Sequence, residues 1–201
     1  MPVAAVVLAA GMSRRMGRPK PLLPIGAAPM VARVVETIIA AGGVWPLVVV
    51  TGHERERVMS ALPVQPVEFV HNADFERGEM LSSVQVGVRA VAGRAGAALL
   101  ALADQPAVTP EIVRSLVNAW RESAAPLVAP LHDGRHGHPV VIAAELFAEL
   151  LDLRPLDTLN TLVRRHESRR LEVPVADAAV LADVDTPEQY EAVLQDFALN
   201  V

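Results

Sequence analysis

"VAAVVLAAGMSRRMGRPK", residues 3–20, runs apolar from Val3 to Ala10 and then breaks into glycines, a serine and cations. An unbroken run of small and β-branched apolar residues suits a strand covered on both faces, as in a mostly parallel sheet with helices on either side. The break falls on Ala9, Ala10 and Gly11, residues small enough to let a bound group approach the backbone and receive its N–H groups. Arg14, Arg15, Arg18 and Lys20 follow. The stretch is therefore either a turn with solvated cations or a cradle for phosphate, to which arginine is suited by its bidentate geometry.

The rest of the chain repeats the alternation that the first strand implies. Strands are expected at 3–9, 46–52, 67–71, 97–103, 126–130, 139–143 and 171–175, several of them apolar throughout. Between them lie helical segments with their own punctuation. "PMVARVVETIIAAGG" stops on Gly42–Gly43. "SSVQVGVRAVAG" pairs Ser82 with Gln85 as a capping box, "TPEIVRSLVNAW" places Thr109 at the cap and Pro110 first in the helix, and "TPEQYEAVLQDF" pairs Thr186 with Gln189. No repeat, linker or low-complexity tract divides residues 1–201, so a single α/β/α domain is expected. Open sheets of this type bind ligands at the carboxyl ends of their strands.

Composition narrows the function. At 52% hydrophobic and 20% charged, the 201 residues are those of a folded globular chain. A net charge of −5 argues against nucleic acid as a partner, so any polyanion is held by local cations. The absence of cysteine removes disulfides, thiolate metal sites and a cysteine nucleophile. No apolar run approaches the ~20 residues of a membrane span, and the N-terminus lacks the cationic start of a signal peptide. A cytoplasmic protein without a membrane partner is expected.

Two familiar phosphate loops do not fit. A P-loop requires Gly-x-x-x-x-Gly-Lys-Ser/Thr, yet Met16 stands where the second glycine belongs, and Gly-x-Gly-x-x-Gly is absent. The stretch instead resembles the Leu-Ala-Ala-Gly-x-Ser-x-Arg-Met-Gly-x-x-Lys signature of nucleotidyltransferases with a Rossmann-like fold. Within that group "AAG" and "RPKPLLP" are most similar to the molybdenum cofactor cytidylyltransferase family. The resemblance implies a three-layer α/β/α fold with a mostly parallel, mixed sheet. It also implies that Leu8, Ala9, Ala10, Gly11, Ser13, Arg15 and Lys20 hold a nucleoside triphosphate.

"ALADQP", residues 101–106, sets Asp104 at the end of an apolar strand, as a turn residue before Pro106 or as a carboxylate in need of a partner or metal. "ADVDTPEQY", residues 182–190, contains Asp183 and Asp185, neither needed for the Thr186–Gln189 cap. By the resemblance, Asp104 and Asp185 bind Mg²⁺, which favours a few hard oxygen ligands completed by substrate phosphates; Asp183 reads as structural. "HDGRHGHPVVI", residues 132–142, carries three of the six histidines. His136 and His138 suggest zinc, but "GHPVV" resembles a family segment beside the acceptor pocket, which implies Gly137, His138 and Pro139 as acceptor-binding residues. "GEMLSSVQVG", residues 78–87, resembles a segment near the nucleotide and adds Ser82. Where the family has Gly-Asp-x-Gly-Ala-Arg, this chain reads "RPLDTLNTLVRRH", residues 154–166; "RRHESRR", residues 164–170, reads as a solvated helix end.

The resemblance implies a Mg²⁺-dependent enzyme that joins CTP, or another NTP, to molybdopterin, releasing pyrophosphate, with catalytic roles for Arg15, Lys20 and Asp104. The alternatives are a sugar 1-phosphate or other phosphorylated acceptor, or a non-catalytic carrier that hands nucleotide or cofactor to a molybdoenzyme.

Overall fold

β1 (Val3–Ala9) runs through the middle of the structure, a computed structural model that describes residues 1–62, 65–77 and 80–199. The single-domain expectation for 1–201 thus ends on two residues, Asn200 and Val201, outside the described ones. After β1 come the short hairpin β2 (Pro24–Ile25) and β3 (Ala28–Pro29), then α1 (Met30–Ala41), β4 (Val44–Thr51), α2 (Arg55–Ser60) and β5 (Glu68–His71). The middle of the chain forms α3 (Met80–Val91), β6 (Ala97–Leu102), α4 (Pro110–Ser123), β7 (Leu127–His132), β8 (Arg135–His136) and β9 (Val140–Ala143). α5 (Phe147–Leu151), α6 (Leu159–Arg165), β10 (Arg170–Pro174) and α7 (Pro187–Leu199) complete it.

The main sheet has the order β10-β7-β9-β6-β1-β4-β5, with β8 paired to β7. β1 is parallel to both β4 and β6, β4 to β5 and β7 to β10. β9 alone runs against its neighbours β6 and β7 within that order. The mixed, mostly parallel sheet is the one expected, and each expected strand forms within a residue or two of its anticipated ends.

The unbroken apolar runs have the two-sided burial that they suggested. Val3, Ala5 and Val7 join Val35 and Ile38 of α1 and Leu116 of α4 on one face. Ala4 and Val6 join Val84 and Val88 of α3, Leu150 of α5 and Leu162 of α6 on the other. α3 rides close over β1 because residue 87 is glycine: a Cβ there would lie 2.3 Å from Val6 Cγ1. A third cluster seats α7 on the hairpin, with Leu23, Ile25, Met30 and Val184 buried against Tyr190, Val193, Leu194 and the partly buried Met16.

Local stop and start signals behave as expected in three helices of four. Gly42, at φ +70°, ends α1. Thr109 Oγ1 accepts from Ile112 N at 3.4 Å, and Gln189 Oε1 accepts from Thr186 N at 2.9 Å while Thr186 Oγ1 accepts from Gln189 N at 3.4 Å. The Ser82–Gln85 box is not formed. α3 already includes Met80, and Gln85 Nε2 reaches the carbonyls of Leu150 and Leu153 at 3.1 and 3.0 Å, joining α3 to the end of α5. Among the described residues no helix is long and apolar enough to cross a membrane.

Candidate active site

The loop that leaves β1 is shaped by its own side chains. Ser13 adopts a left-handed conformation at φ +52°, and its Oγ accepts from the backbone N of Lys20 at 2.8 Å. Ser13 O accepts from Met16 N, and Gly17 turns at φ +63°. The loop thus closes on itself and brings Lys20 back beneath the end of β1. Gly52 holds its far side: a Cβ there would come within 2.6 Å of Ala10 O, and His53 N donates to that same oxygen. Around Gly11, by contrast, a Cβ would meet nothing within 4 Å, so this part of the backbone faces open space.

That space is a cleft of about 700 Å³ at the carboxyl ends of β1 and β6. Its walls include Leu8, Ala9, Ala10, Gly11, Ser13, Arg15 and Lys20 from the first strand and its loop, with Asp104 from just past β6 and Asp183 and Asp185 from the segment before α7. Backbone bonds bring the two regions together. Ala103 N donates to Leu8 O, and Val184 N, between the two later aspartates, donates to Asp104 O at 3.0 Å.

Lys20 is the hub. Its Nζ donates to Asp104 Oδ2 and, at 2.8 Å, to Asp185 Oδ1. Arg15 NH1 donates to the other oxygen, Asp185 Oδ2, at 2.6 Å. Burial works against the Lys20 ammonium, yet the charge and hydrogen bond of Asp104, followed by those of Asp185, outweigh it and hold its pKa above the ordinary lysine value. Asp185 is pulled below the usual carboxylate range by its hydrogen bond to Lys20 and by Arg15. Asp183 moves the other way, pushed up by burial and by Asp104, although Gln105 Nε2 donates to it at 2.6 Å. Three carboxylates thus share the cleft with two cations, one negative charge in excess when all are ionised.

Asp104 and Asp185 converge on a single ammonium, which makes their position fit a cation of higher charge. Both offer hard oxygen, the donor that Mg²⁺ and Mn²⁺ prefer. Among the described residues no group of three or more ligating side chains gathers, so a divalent ion here would need further oxygens from a ligand such as a phosphate chain. The residues fit a shared metal–phosphate site better than a closed structural one.

Other anticipated residues divide. Ser83, not Ser82, lines the cleft; Ser82 Oγ accepts from Asn72 Nδ2 at 2.9 Å, and Ser83 Oγ does so at 3.0 Å. Of the segment 78–87, Gly78 and Glu79 lie outside the described residues. Gly137 and His138 line a second cavity of about 340 Å³, which meets the first at Met80. Pro139 is turned away, toward Val34, Thr37 and Gln105. Glycine at 137 is needed for packing: a Cβ would lie 1.9 Å from Val180 O, the oxygen that receives His138 N. Arg14 is exposed and stands at the wall of the first cleft. The run "RRHESRR" is largely the solvated end of α6 that was expected, with Arg164, Arg165, Glu167 and Arg169 exposed, although its side chains are tied down by ion pairs. Arg165 and His166 both reach Glu149, at 3.0 and 2.7 Å, Arg169 reaches Glu145 at 2.5 Å, and the Arg170 side chain is only 10% exposed.

Sequence reasoning took Asp183 as structural and passed over Phe75 and Asn72. Asp183 shares the cleft with the other two carboxylates, and the Phe75 ring stands between His53 and His71, at 6.2 Å from each, while its side chain lines the same cleft. Asn72, 1% exposed, ties the end of β5 to α3 through the two serines. An Asn one residue past a strand was the available signal.

A phosphate-sized glycine loop, converging carboxylates and cations at the carboxyl edge of a parallel sheet define an enzyme class that works on nucleotide phosphates. The chain belongs to the family described as the MobA-like NTP transferase domain, whose model matches residues 5–171. It is a nucleotidyltransferase. It is 23% identical over 189 residues to the molybdenum cofactor cytidylyltransferase of Escherichia coli (strain K12), covering 94% of this chain and 93% of that protein. It is 31% identical to a Mycolicibacterium paratuberculosis protein named "probable molybdenum cofactor guanylyltransferase", over 97% of this chain and 96% of that one. A Paenarthrobacter nicotinovorans protein named nicotine blue oxidoreductase is 33% identical, over 93% and 94%. Among solved structures, Rv0371C of Mycobacterium tuberculosis H37Rv in complex with manganese superposes with a TM-score of 0.79 at 27% identity, over 97% of this chain and 99% of that one.

Proposed function

We propose that the chain, a single domain over residues 1–201, is a cytoplasmic Mg²⁺-dependent cytidylyltransferase that joins CTP to molybdopterin. In this reading a phosphate oxygen of molybdopterin attacks the α-phosphorus of CTP. The bond from that phosphorus to the β-phosphate oxygen breaks, and pyrophosphate leaves with the electron pair. No side-chain nucleophile is needed, in keeping with a chain without cysteine.

The observation that carries the reading is the position of Lys20 between Asp104 and Asp185 beneath the Gly11 loop. The backbone N–H groups of residues 9–11 receive the phosphate oxygens, with Leu8 and Ser13 fixing the ends of that loop. Arg15 and Lys20 neutralise charge that develops on the β- and γ-phosphates, a contribution worth more in a cleft than in open water. Asp104 and Asp185 would hold Mg²⁺, which supplies charge neutralisation on the phosphates and fixes their orientation. Positioning and charge carry the catalysis. The second cavity, walled in part by Gly137 and His138, receives the acceptor, and Met80, common to both spaces, marks where the two substrates meet. A molybdoenzyme that accepts the product is the partner this chemistry calls for.

GTP as the donor is the second reading, favoured by the 31% identity to the guanylyltransferase-named relative. The deciding measurement is pyrophosphate release with molybdopterin, Mg²⁺ and each of the four NTPs. The proposal expects release with CTP several-fold above GTP. Preference for GTP overturns the donor, and release from no NTP overturns the transferase assignment with this acceptor.

A further inference from the structure

We propose that Phe75 is the nucleobase contact of the first cleft, its ring receiving the flat, uncharged end of the donor nucleotide while Lys20 and its carboxylates face the phosphates. The proposal rests on the reading of this cleft as the nucleotide site, and on neither the identity of the base nor that of the acceptor.

The cleft is unequal along its length. Lys20, Asp104 and Asp185 gather past the end of β6, where Val184 N reaches Asp104 O. Phe75 stands on the other side of β1, past the end of β4. A Cβ on Gly52, the first residue beyond β4, would lie 2.6 Å from Phe75 Cβ and 2.8 Å from Ala10 Cβ. β1 separates β6 from β4 in the sheet, so the two ends are two strand spacings, about 10 Å, apart. A ribose with its α-phosphate bridges such a gap across the Gly11 loop. The molecule that matches the cleft is therefore charged at one end and flat and uncharged at the other. Glu76 and Arg77 line the cleft beside Phe75, but both are exposed and keep their charges in water. Ser83 Oγ, on the same side, is engaged by Asn72 Nδ2 at 3.0 Å.

Phe75 is held for this contact before any ligand arrives. Its loop leaves β5 through Asn72, whose N donates to Thr51 O at 2.8 Å and whose Oδ1 accepts from Asp74 N at 3.0 Å. Arg77 N then closes a turn on Asp74 O at 3.1 Å, with Phe75 inside it. His53 and His71 lean on the ring at 42° and 55° to its plane, so they brace it and neither lies flat upon it. A group fixed in advance loses little freedom on binding. Only 3% of the chain is aromatic, and among the described residues that line this cleft Phe75 is the one aromatic ring. Stacking on such a ring is open to every base, since each has a π-face. Phe75 thus separates nucleotides from bare phosphates and leaves the choice among bases to other groups.

The test titrates CTP, GTP and inorganic tripolyphosphate, each with Mg²⁺, into the full wild-type chain and its variants by calorimetry. Phe75→Leu keeps an apolar side chain against Gly52 but has no ring. Whichever of CTP and GTP the wild type binds more tightly, this variant should bind it at least about fivefold more weakly, the lower end of one base–aromatic stack. Its affinity for tripolyphosphate should be unchanged. Phe75→Tyr, which keeps the ring, should retain wild-type affinity for the nucleotide. Phe75→Trp adds an indole at the site, and its fluorescence should be quenched by the nucleotide and not by tripolyphosphate. Unchanged nucleotide affinity in Phe75→Leu, equal losses for nucleotide and tripolyphosphate, or no quenching in Phe75→Trp overturns the proposal. Phe75-dependent nucleotide binding in a chain that releases no pyrophosphate would sustain this proposal while removing the transferase reading. Nucleotidyl transfer with wild-type nucleotide affinity in Phe75→Leu would do the reverse, so the two fail separately.

Discussion

Lys20→Met removes the one cation shared by Asp104 and Asp185, and its consequences differ in sign for different ligands. In the wild-type chain the side chains of Lys20, Asp104 and Asp185 are 16%, 21% and 36% exposed, so water reaches the pairs but does not surround them. Removing one partner of a fully buried pair costs about 3–5 kcal/mol. Here Arg15 remains on Asp185 and solvent screens that carboxylate, which brings the cost down to about 1–2 kcal/mol. In a chain of this length that is a fall of roughly 2–8 °C in Tm. Divalent cations respond the other way. An ammonium within about 4 Å of a second positive charge repels it by about 4 kcal/mol per unit charge at an effective dielectric constant of 20. Without it, the two carboxylates should bind Mg²⁺ more tightly before any nucleotide arrives. Triphosphate loses a charge-assisted contact worth about 1.5–3 kcal/mol, or roughly 10- to 150-fold in Kd. Differential scanning calorimetry in chelator and in Mg²⁺, with calorimetric titration of CTP and CMP, separates the three effects. The expected variant melts early in chelator and gains more from Mg²⁺ than wild type does. It should lose more affinity for CTP than for CMP. Equal losses for the two nucleotides, or no added response to Mg²⁺, would refute the placement of Lys20 between metal and phosphates.

Asp104→Ala and Asp185→Ala should each abolish Mg²⁺-dependent pyrophosphate release while far-ultraviolet circular dichroism stays that of the wild type; wild-type turnover in either removes that residue from the metal site. The acid limb of stability carries a second signature. Lys20 and Arg15 hold the Asp185 pKa below its unfolded value, so the stability they contribute is complete above about pH 4 and is lost as pH falls through the folded value. Tm measured from pH 5 to 2.5 should therefore fall less steeply in Asp185→Asn than in wild type. Gly137→Ala places a Cβ where Val180 O now lies, 1.9 Å away, and should destabilise the chain by about 2–4 kcal/mol through strain and the loss of the His138 N bond to that oxygen. An unchanged denaturation midpoint in urea would contradict it.

How much of this was visible in the residues depends on the range over which each residue acts. β1 and its loop were legible because their information is contiguous: apolar on both faces, then small, then cationic. The caps of α4 and α7 were legible for the same reason, since Thr109 and Thr186 bond residues three positions on. The Ser82–Gln85 pattern obeyed that local rule equally well and still misled. Gln85 finds backbone acceptors on α5 and just past its end, 65 and 68 residues away, and burial there outweighs a cap at the surface. The cleft had the opposite history. Nothing local distinguishes Asp185, which reaches Lys20, from Asp183, which read as structural, and only the return of the chain to β6 sets Asp104 and Asp185 on one lysine with Asp183 beside them in the cleft. Arg170 is the extreme case. In "RRHESRR" it is one cation of several beside a helix end, where solvation is the natural expectation. Of the run's arginines Arg170 alone is withdrawn from water, its side chain 10% exposed and bonded to Glu172 of its own strand. It is withdrawn because β10 pairs with β7 and sets it at the wall of the second cavity. A residue held by its neighbours in sequence can be read from them; a residue held by a distant strand becomes visible only when the pairing of the strands is known.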